Sequence, residues 1–271
     1  MRIAIIGAGA IGSVFASYLL RASHEVTLIA RGARLAELES QGLRVRGLNE
    51  PQRPKLSAQL DEAENYDLVL VTVLVHQVDV LLPALQRSKA RAVMFMFNTF
   101  GGLERLRDAV GSERFSIGFP AIIAGLKDGE LTATIVPRLF RLFQITYVAG
   151  TRAKAWRDLF EGAGIPCAEH EDLEAWLKTH AAFFAPMMLT GAHGQPLTWS
   201  HATKLAETMK QGFARVPRIT PFMVRLLTWY PRFFIAWMLW LMSRTPIAKS
   251  LGGRGPAEAN ALLQQMNVPT P

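Results

Sequence analysis

Three glycines near the start of the chain have the spacing of a dinucleotide-binding turn. Gly7, Gly9 and Gly12 form the pattern G-x-G-x-x-G between a short apolar stretch and a segment with helical periodicity. The first glycine permits a tight turn, the second lets a pyrophosphate approach the backbone, and the third lets helix and strand pack closely. Unpaired N–H groups at the helix start, around Ala10 and Ile11, favour an anion. The pattern predicts that these five residues bind a nucleotide; a glycine turn without a ligand is the alternative.

A basic residue stands where dinucleotide-binding proteins often carry an acid. Arg31 follows the predicted strand HEVTLIA and lies about 20 residues beyond the glycines, the usual distance of the ribose-binding acid. A guanidinium offers a planar donor fork suited to a 2′-phosphate, which an acid would repel. No Asp or Glu occurs between Val26 and Ala36. The sequence therefore favours NADP(H) over NAD(H), with a solvated arginine as the alternative.

The composition predicts a folded protein with anionic partners. The chain has 271 residues, of which 50% are hydrophobic and 19% charged, enough for one large or two ordinary domains. A formal charge of +8 suits nucleotides, carboxylates, nucleic acid or an acidic membrane surface without choosing among them. We find no nucleic-acid recognition motif and predict no such partner. The first apolar run stops at glycines, as a buried strand does and a signal peptide does not, which favours a cytoplasmic protein.

Metal chemistry is not predicted. The chain has a single cysteine, Cys167, which excludes an internal disulfide framework and a cysteine-rich metal site. The spacing of His170, His193 and His201 matches no familiar metal site, and we interpret these histidines as structural.

The order of the predicted elements indicates two domains. Apolar strands alternate with helices over most of the first 120 residues, including strands at 66–73 and 91–97, which predicts a doubly wound parallel sheet. The segments ELTATIV and RLFQITYVAG alternate as a hairpin would. Helical patterns follow from Asp172, broken near four residues: Gly194, Pro217, Pro221 and Pro231. The predicted fold is α/β, with a Rossmann-type domain over 1–170 followed by an all-helical domain over 171–271 for substrate binding or dimerisation.

The chain resembles the ketopantoate reductase (2-dehydropantoate 2-reductase) family in several motifs. They are GAGAIG, HEVTLIAR, VTVLVHQ with Gln77, FNTFGG with Asn98, and AWLKTH with Lys178. The resemblance implies an NADPH-binding Rossmann domain, a helical second domain and a substrate bound between them. It further implies that Gln77 and Asn98 border the cofactor and that Lys178 is the catalytic lysine. The resemblance also implies that Glu258 in GRGPAEAN is the counterpart of the family's substrate-binding glutamate.

Several positions depart from the family pattern. The family's lysine three residues before Gln77 is Leu74, and its Asn–Gly pair is Asn98–Thr99. Two asparagines that follow the catalytic lysine are replaced by Ala182 and Pro186. With Ala185 also on the face of Lys178, these small residues predict space beyond the lysine and a substrate tail bulkier or more apolar than that of ketopantoate.

Lys178 has two interpretations. Hydride transfer to a ketone leaves charge on the carbonyl oxygen, and a lysine ammonium can stabilise that charge and deliver a proton. Glu174 lies four residues earlier, in the orientation of a surface ion pair, and spacing alone favours this second interpretation. The family resemblance reverses that preference. His180, two residues on, falls near the opposite helix face and is interpreted as structural.

An apolar stretch at 220–242 contains several of the aromatic residues. Arg225, Pro231 and Arg232 divide it, so it is too short to span a membrane, which takes roughly 20 apolar residues. We interpret it as two helices packed as core or lining an apolar pocket. Peripheral membrane attachment, with Arg244 and Lys249 as flanking charges, and a homodimer interface remain as alternatives.

Together these features predict an NADPH-dependent ketone reductase that acts on a small carboxylate-bearing carbonyl compound. A protein that binds NADP(H) but has lost catalysis, and reports cofactor status, is the alternative.

Overall fold

The computed structural model describes residues 1–135, 145–190, 195–245 and 255–270. The chain forms two compact units. The first comprises Met1–Phe97 and Leu103–Leu173, and the second comprises Asn98–Gly102 and Glu174–Pro271. The short segment after the sixth strand therefore packs with the carboxyl-terminal unit.

The first unit contains eleven described strands and five described α-helices. The strands are β1 Arg2–Ile6, β2 Glu25–Ile29, β3 Arg44–Val45, β4 Lys55–Ser57, β5 Leu68–Val71, β6 Val93–Met96, β7 Phe115–Phe119, β8 Ile122–Lys127, β9 Glu130–Ile135, β10 Thr146–Gly150 and β11 Cys167–Glu169. The helices are α1 Ala10–Arg21, α2 Gly32–Gln41, α3 Leu82–Arg87, α4 Leu103–Val110 and α5 Ala153–Gly162.

Eight strands form one sheet in the order β11-β10-β7-β6-β5-β1-β2-β4. All neighbours are parallel except β10 and β7. Both β5 and β6 are buried along their whole length, and Phe15 of α1 meets Phe160 of α5 against the sheet with ring centroids 5.1 Å apart. The chain runs outward from β1 in both directions, so the topological switch point lies between β1 and β5. The predicted doubly wound, mainly parallel sheet is confirmed.

The predicted hairpin of ELTATIV with RLFQITYVAG is wrong. Strand β9 pairs antiparallel with β8, whereas β10 joins the large sheet beside β7. The turn between β8 and β9 is Asp128–Gly129, with φ of 50° and 73°. Two residues with positive φ match the right-handed twist of a hairpin, and Asp-Gly is a favoured pair there. Residues 136–144 lie outside the described part of the chain.

The regular elements described in the second unit are all α-helices. Its helices are α6 Leu173–Leu189, of which Leu173 belongs to the first unit, α7 Trp199–Ala214, α8 Phe222–Trp229, α9 Arg232–Met242 and α10 Gly255–Gln265. Pro217, Pro221 and Pro231 fall between helices, as predicted, while Gly194 and His193 lie outside the described residues. None of the helices within the described ranges is both long and apolar enough to cross a membrane.

Small residues bring α6 and α7 close together. Ala182 and Ala185 are fully buried, and a Cβ added at Gly212 of α7 would lie 3.3 Å from the Cβ of Ala182. The predicted space beyond Lys178 is therefore wrong at Ala182, because α7 fills it.

Candidate functional site

The glycine turn lies at the switch point of the large sheet. Gly7 has a φ of +108°, which strongly favours glycine. A Cβ at Gly12 would lie only 1.9 Å from the carbonyl oxygen of Gly7, whereas a Cβ at Gly9 would meet nothing within 4 Å. The turn therefore packs tightly at Gly12 and is open at Gly9, beside the start of α1. An open backbone at a helix N-terminus is suited to a phosphate group.

This contrast gives a testable prediction about stability. Gly12→Ala is expected to lower the free energy of unfolding by about 1–3 kcal/mol, because the added methyl group overlaps backbone that must shift. Gly9→Ala is the matched control, since its Cβ enters open space and its φ of −69° suits alanine. Urea unfolding of the two variants measures the difference. Equal stability of the two would contradict the packing role of Gly12.

Thr72 supports the turn from the neighbouring strand. It follows β5 directly, and its hydroxyl lies 2.9 Å from the carbonyl oxygen of Gly7 and 3.1 Å from that of Ile6. This role of Thr72 was not predicted from the sequence. Its position directly after β5 could have indicated this role, because the carboxyl ends of β1 and β5 meet at the switch point.

Arg34 also supports the turn and was not selected. Its Nε donates to the carbonyl oxygen of Ala8 at 3.0 Å, and a terminal nitrogen donates to the hydroxyl of Ser13 at 3.3 Å. Glu37, one turn further along α2, forms an ion pair with it. The first turn of α2 thus holds a cation against the glycine turn.

Arg31 lies at the strand end next to the turn. It is exposed and stands immediately before α2, and its Nε donates to the carbonyl oxygen of Ala58 at 3.3 Å. The N–H of Gly7 donates to the carbonyl oxygen of Ile29 at 3.2 Å, which fixes the ends of β1 and β2 side by side. Within the described residues the terminal nitrogens of Arg31 have no hydrogen-bond partner, so they are available to a ligand.

Gln77 ends a single 3-10 turn, Val75–Gln77, just beyond β5. Its side-chain oxygen accepts a hydrogen bond from the N–H of Leu74 at 3.2 Å, and the residue is exposed. The side-chain nitrogen of Gln77 makes no hydrogen bond within the described residues.

In the second unit, Asn98 and Glu258 meet although they are 160 residues apart. The amide nitrogen of Asn98 donates to a carboxylate oxygen of Glu258 in the first turn of α10. A second link fixes the same segment, because the N–H of Phe100 donates to the side chain of Gln265 at 2.8 Å. The side-chain oxygen of Asn98 is buried and accepts no hydrogen bond from any described residue. Two predicted site residues are therefore held together.

Lys178 is part of an ion pair on α6. Its Nζ lies 2.7 Å from a carboxylate oxygen of Glu174, and its side chain is 25% exposed. The ion pair between Glu174 and Lys178 that their four-residue spacing indicated is present. Among the described residues this is the only hydrogen bond of Lys178, so the Asn98–Glu258 pair is a separate contact.

His180 lies in an aromatic stack on the same helix. Its ring stacks on Trp176 at 4.8 Å and on Phe184 at 4.0 Å between centroids. Burial lowers the pKa of His180 to about 3. No group of three or more potential metal-ligand side chains occurs within the described ranges. The structural interpretation of His180 fits this environment.

The buried histidine predicts a pH dependence of stability. The unfolded chain takes up a proton at His180 below about pH 6.5, whereas the folded chain takes it up only near pH 3. The free energy of unfolding should therefore fall as the pH is lowered from about 6.5 to about 3. His180 contributes up to about 1.4 kcal/mol per pH unit to this fall. His180→Phe is expected to flatten the slope, measured by urea unfolding. The exposed His201 gives the control, and an unchanged slope in His180→Phe would contradict the assignment.

Fold and turn together define a class. A glycine turn at the switch point of a doubly wound sheet, followed by a helical unit, is the architecture of Rossmann-type nucleotide-binding proteins.

Comparison with known proteins finds similarity to one enzyme family. Residues 3–135 match the family model of ketopantoate reductase PanE/ApbA. A 2-dehydropantoate 2-reductase of Vibrio cholerae is 29% identical over 187 residues, which are 64% of this chain and 57% of that protein. The resemblance expected from the motifs is confirmed, and residues 3–135 are similar to the ketopantoate reductases. Among four such curated relatives the matched stretch covers between 36% and 57% of the relative's length.

Solved structures extend the likeness to both units. A PanE/ApbA family ketopantoate reductase from Ralstonia eutropha has a TM-score of 0.73 at 19% identity, covering 99% of this chain and 93% of that one. A D-mandelate dehydrogenase solved with NADH has a TM-score of 0.68 at 18% identity, covering 97% of this chain and 85% of that one. At these identities the likeness establishes the fold.

Proposed function

We propose that the protein is an NADPH-dependent oxidoreductase of the 2-dehydropantoate 2-reductase type, which reduces a 2-oxo acid or a related small carbonyl compound. The observation that carries the proposal is the glycine turn, open at Gly9 and closed at Gly12, at the switch point of the sheet. The family match over residues 3–135 covers this turn and supports the same conclusion.

The residues at the turn fit a dinucleotide. The backbone from Gly7 to Gly12, including Ala10 and Ile11, would hold the pyrophosphate, since a Cβ at Gly9 meets no atom and α1 begins at Ala10. Arg31 would hold the ribose 2′-phosphate, because its exposed guanidinium stands at the adjoining strand end. Gln77 and Asn98 would border the nicotinamide, as in the family. When bound, the cofactor supplies a hydride.

The identity of the nucleotide rests on Arg31. The D-mandelate dehydrogenase of similar fold was solved with NADH, so the fold itself suits either nucleotide. An acid at the end of the second strand would favour NADH by accepting hydrogen bonds from the ribose hydroxyls. Here that position is cationic, and no acid stands between Val26 and Ala36. We therefore assign NADPH.

Lys178 is the proposed general acid. As hydride reaches the carbonyl carbon, negative charge develops on the carbonyl oxygen, which then needs a donor and a proton. The Lys178 ammonium supplies both, and a proton leaves Nζ as the alcohol forms. Glu174 holds Nζ at 2.7 Å, which orients the ammonium.

Asn98 and Glu258 are the proposed polar contacts of the substrate. The hydrogen bond between them turns the amide nitrogen of Asn98 towards the carboxylate and leaves its buried oxygen as an acceptor. A hydroxyl or amide N–H on the ligand would satisfy that oxygen, and Glu258 would accept from a substrate hydroxyl. Ala182, which packs against α7, and Pro186 stand where the family has two asparagines, and neither side chain can make a polar contact; we therefore propose a substrate other than ketopantoate.

A panel of 2-oxo acids that includes ketopantoate, assayed by NADPH absorbance, tests the proposal. Parent protein should oxidise NADPH with at least one member of the panel, and ketopantoate should be a poor substrate. Tight NADPH binding without turnover on any member would instead support a cofactor-reporting protein that has lost catalysis. Failure to bind either nucleotide would contradict both.

A further inference from the structure

Helices α8 and α9 carry a large exposed apolar surface, which we name the aromatic face. Trp229 is 71% exposed, Phe233 65% and Trp237 48%. Helix α8 has no buried residue at all. The aromatic face consists of Phe222, Met223, Trp229, Tyr230, Phe233, Trp237 and Leu241. The interpretation of this stretch as core is therefore wrong for its outer side.

Helix α9 is apolar all the way round after its first residue. One side, with Ile235, Ala236 and Leu239, is buried in the core of the second unit. Phe233, Trp237 and Leu241 recur every four residues and stand on a different, exposed side. A helix that is hydrophobic on all sides is normally buried on all sides. We therefore expect an apolar surface outside the chain to cover the exposed side of α9.

The charges of residues 195–245, the segment that contains the aromatic face, are nearly all positive. Residues 195–245 contain seven basic side chains and one acidic side chain, Glu207. Glu207 lies 3.3 Å from Arg232 and is thereby neutralised in part. Arg244 stacks over Trp240 with its guanidinium 3.5 Å from the ring centroid, so a cation lies directly against an aromatic ring. The basic residues are Lys204, Lys210, Arg215, Arg218, Arg225, Arg232 and Arg244.

We propose that the aromatic face binds the surface of an anionic lipid membrane. Tryptophan and tyrosine favour the headgroup level, where the ring is withdrawn from water and the polar edge stays wet. Lysine and arginine around such a face are attracted to anionic headgroups. The protein would lie on the membrane and not span it. This property goes beyond the proposed reductase activity and does not depend on it.

Charge favours a membrane over a second copy of the chain as the occupant. A two-fold dimer contact places the same patch against itself, so the basic residues of one copy would face those of the other. An anionic bilayer presents the opposite charge and is apolar just below its surface.

Co-sedimentation with vesicles tests the proposal on the full-length chain. Vesicles of phosphatidylglycerol and phosphatidylcholine in equal amounts should bind the protein, and vesicles of phosphatidylcholine alone should bind it weakly. Phe233→Ser with Trp237→Ser should weaken binding at least about tenfold, because two large apolar side chains no longer enter the bilayer. Trp229→Ser offers an independent second variant on α8. Arg215→Gln with Arg225→Gln should weaken binding to the anionic vesicles alone.

The matched control lies in the first unit. Val80 and Ile123 are 74% and 62% exposed, so Val80→Ser with Ile123→Ser removes exposed apolar side chains elsewhere and should leave vesicle binding unchanged. Circular dichroism confirms that each variant is folded. Absence of binding to anionic vesicles would overturn the proposal, as would equal binding by parent and aromatic-face variants. A parent dimer that the same variants dissociate, without vesicle binding, would assign the face to a second copy.

Discussion

Replacing Lys178 by alanine is expected to lower kcat by about a hundredfold to ten-thousandfold, the usual contribution of a positioned general acid. The reason is chemical, since the alkoxide that forms on hydride transfer would lose its proton donor and its neutralising charge. NADPH affinity should stay unchanged, because the glycine turn and Arg31 lie in the other unit. Steady-state kinetics on the best 2-oxo acid of the panel, with NADPH titration by fluorescence, measures both quantities.

Glu174→Gln is the control that separates the two interpretations of Lys178. It removes the carboxylate of the 2.7 Å ion pair and keeps the lysine. If Lys178 is the general acid, Glu174→Gln should cost far less activity than Lys178→Ala. If the lysine only forms a surface ion pair, the two variants should behave alike, with full activity and a stability change of at most about 1 kcal/mol. That second pattern would remove Lys178 from the mechanism.

Replacing Arg31 by alanine is expected to raise the Kd of NADPH roughly tenfold to a hundredfold and to change the Kd of NADH little. A charge-assisted hydrogen bond to a phosphate is worth about 1.5–3 kcal/mol, and only NADPH carries the 2′-phosphate. Titration of both nucleotides with parent and variant gives the comparison. The terminal nitrogens of Arg31, unbonded within the described residues, make this loss specific to the ligand.

Arg34→Ala is the matched control for Arg31. Arg34 stands three residues later, but it donates to Ala8 and Ser13 of the glycine turn. Its loss should therefore weaken NADPH and NADH by similar factors, because the proposed contact of the turn is with the pyrophosphate that both share. An equal loss of the two nucleotides in Arg31→Ala would refute the 2′-phosphate contact.

The sequence predicted the architecture because its signals are local. Gly7, Gly9 and Gly12 follow the apolar end of β1, and the central strands β5 and β6 are apolar throughout. The breaks between α7, α8 and α9 followed from Pro217, Pro221 and Pro231, because proline cannot donate within a helix, whereas Pro186 lies inside α6. These features need no knowledge of distant contacts.

What the sequence missed depends on contacts between distant segments. Thr72 supports Gly7 only because β5 lies beside β1, and Ala182 is small because Gly212 lies against it. The correct hairpin could have been predicted locally, because Asp128–Gly129 is a pair that favours hairpin turns. The meeting of Asn98 with Glu258 joins residues that no local pattern relates, and the family resemblance alone suggested both.

The most direct test of the proposed reaction follows the hydride itself. NADPH deuterated at the transferred position, incubated with the protein and the active 2-oxo acid, should yield a 2-hydroxy acid that carries the deuterium on carbon 2. Mass spectrometry of the product reads this transfer directly, and Lys178→Ala should form the same product far more slowly. A product without deuterium, or none from any 2-oxo acid while NADPH binds normally, would contradict the account.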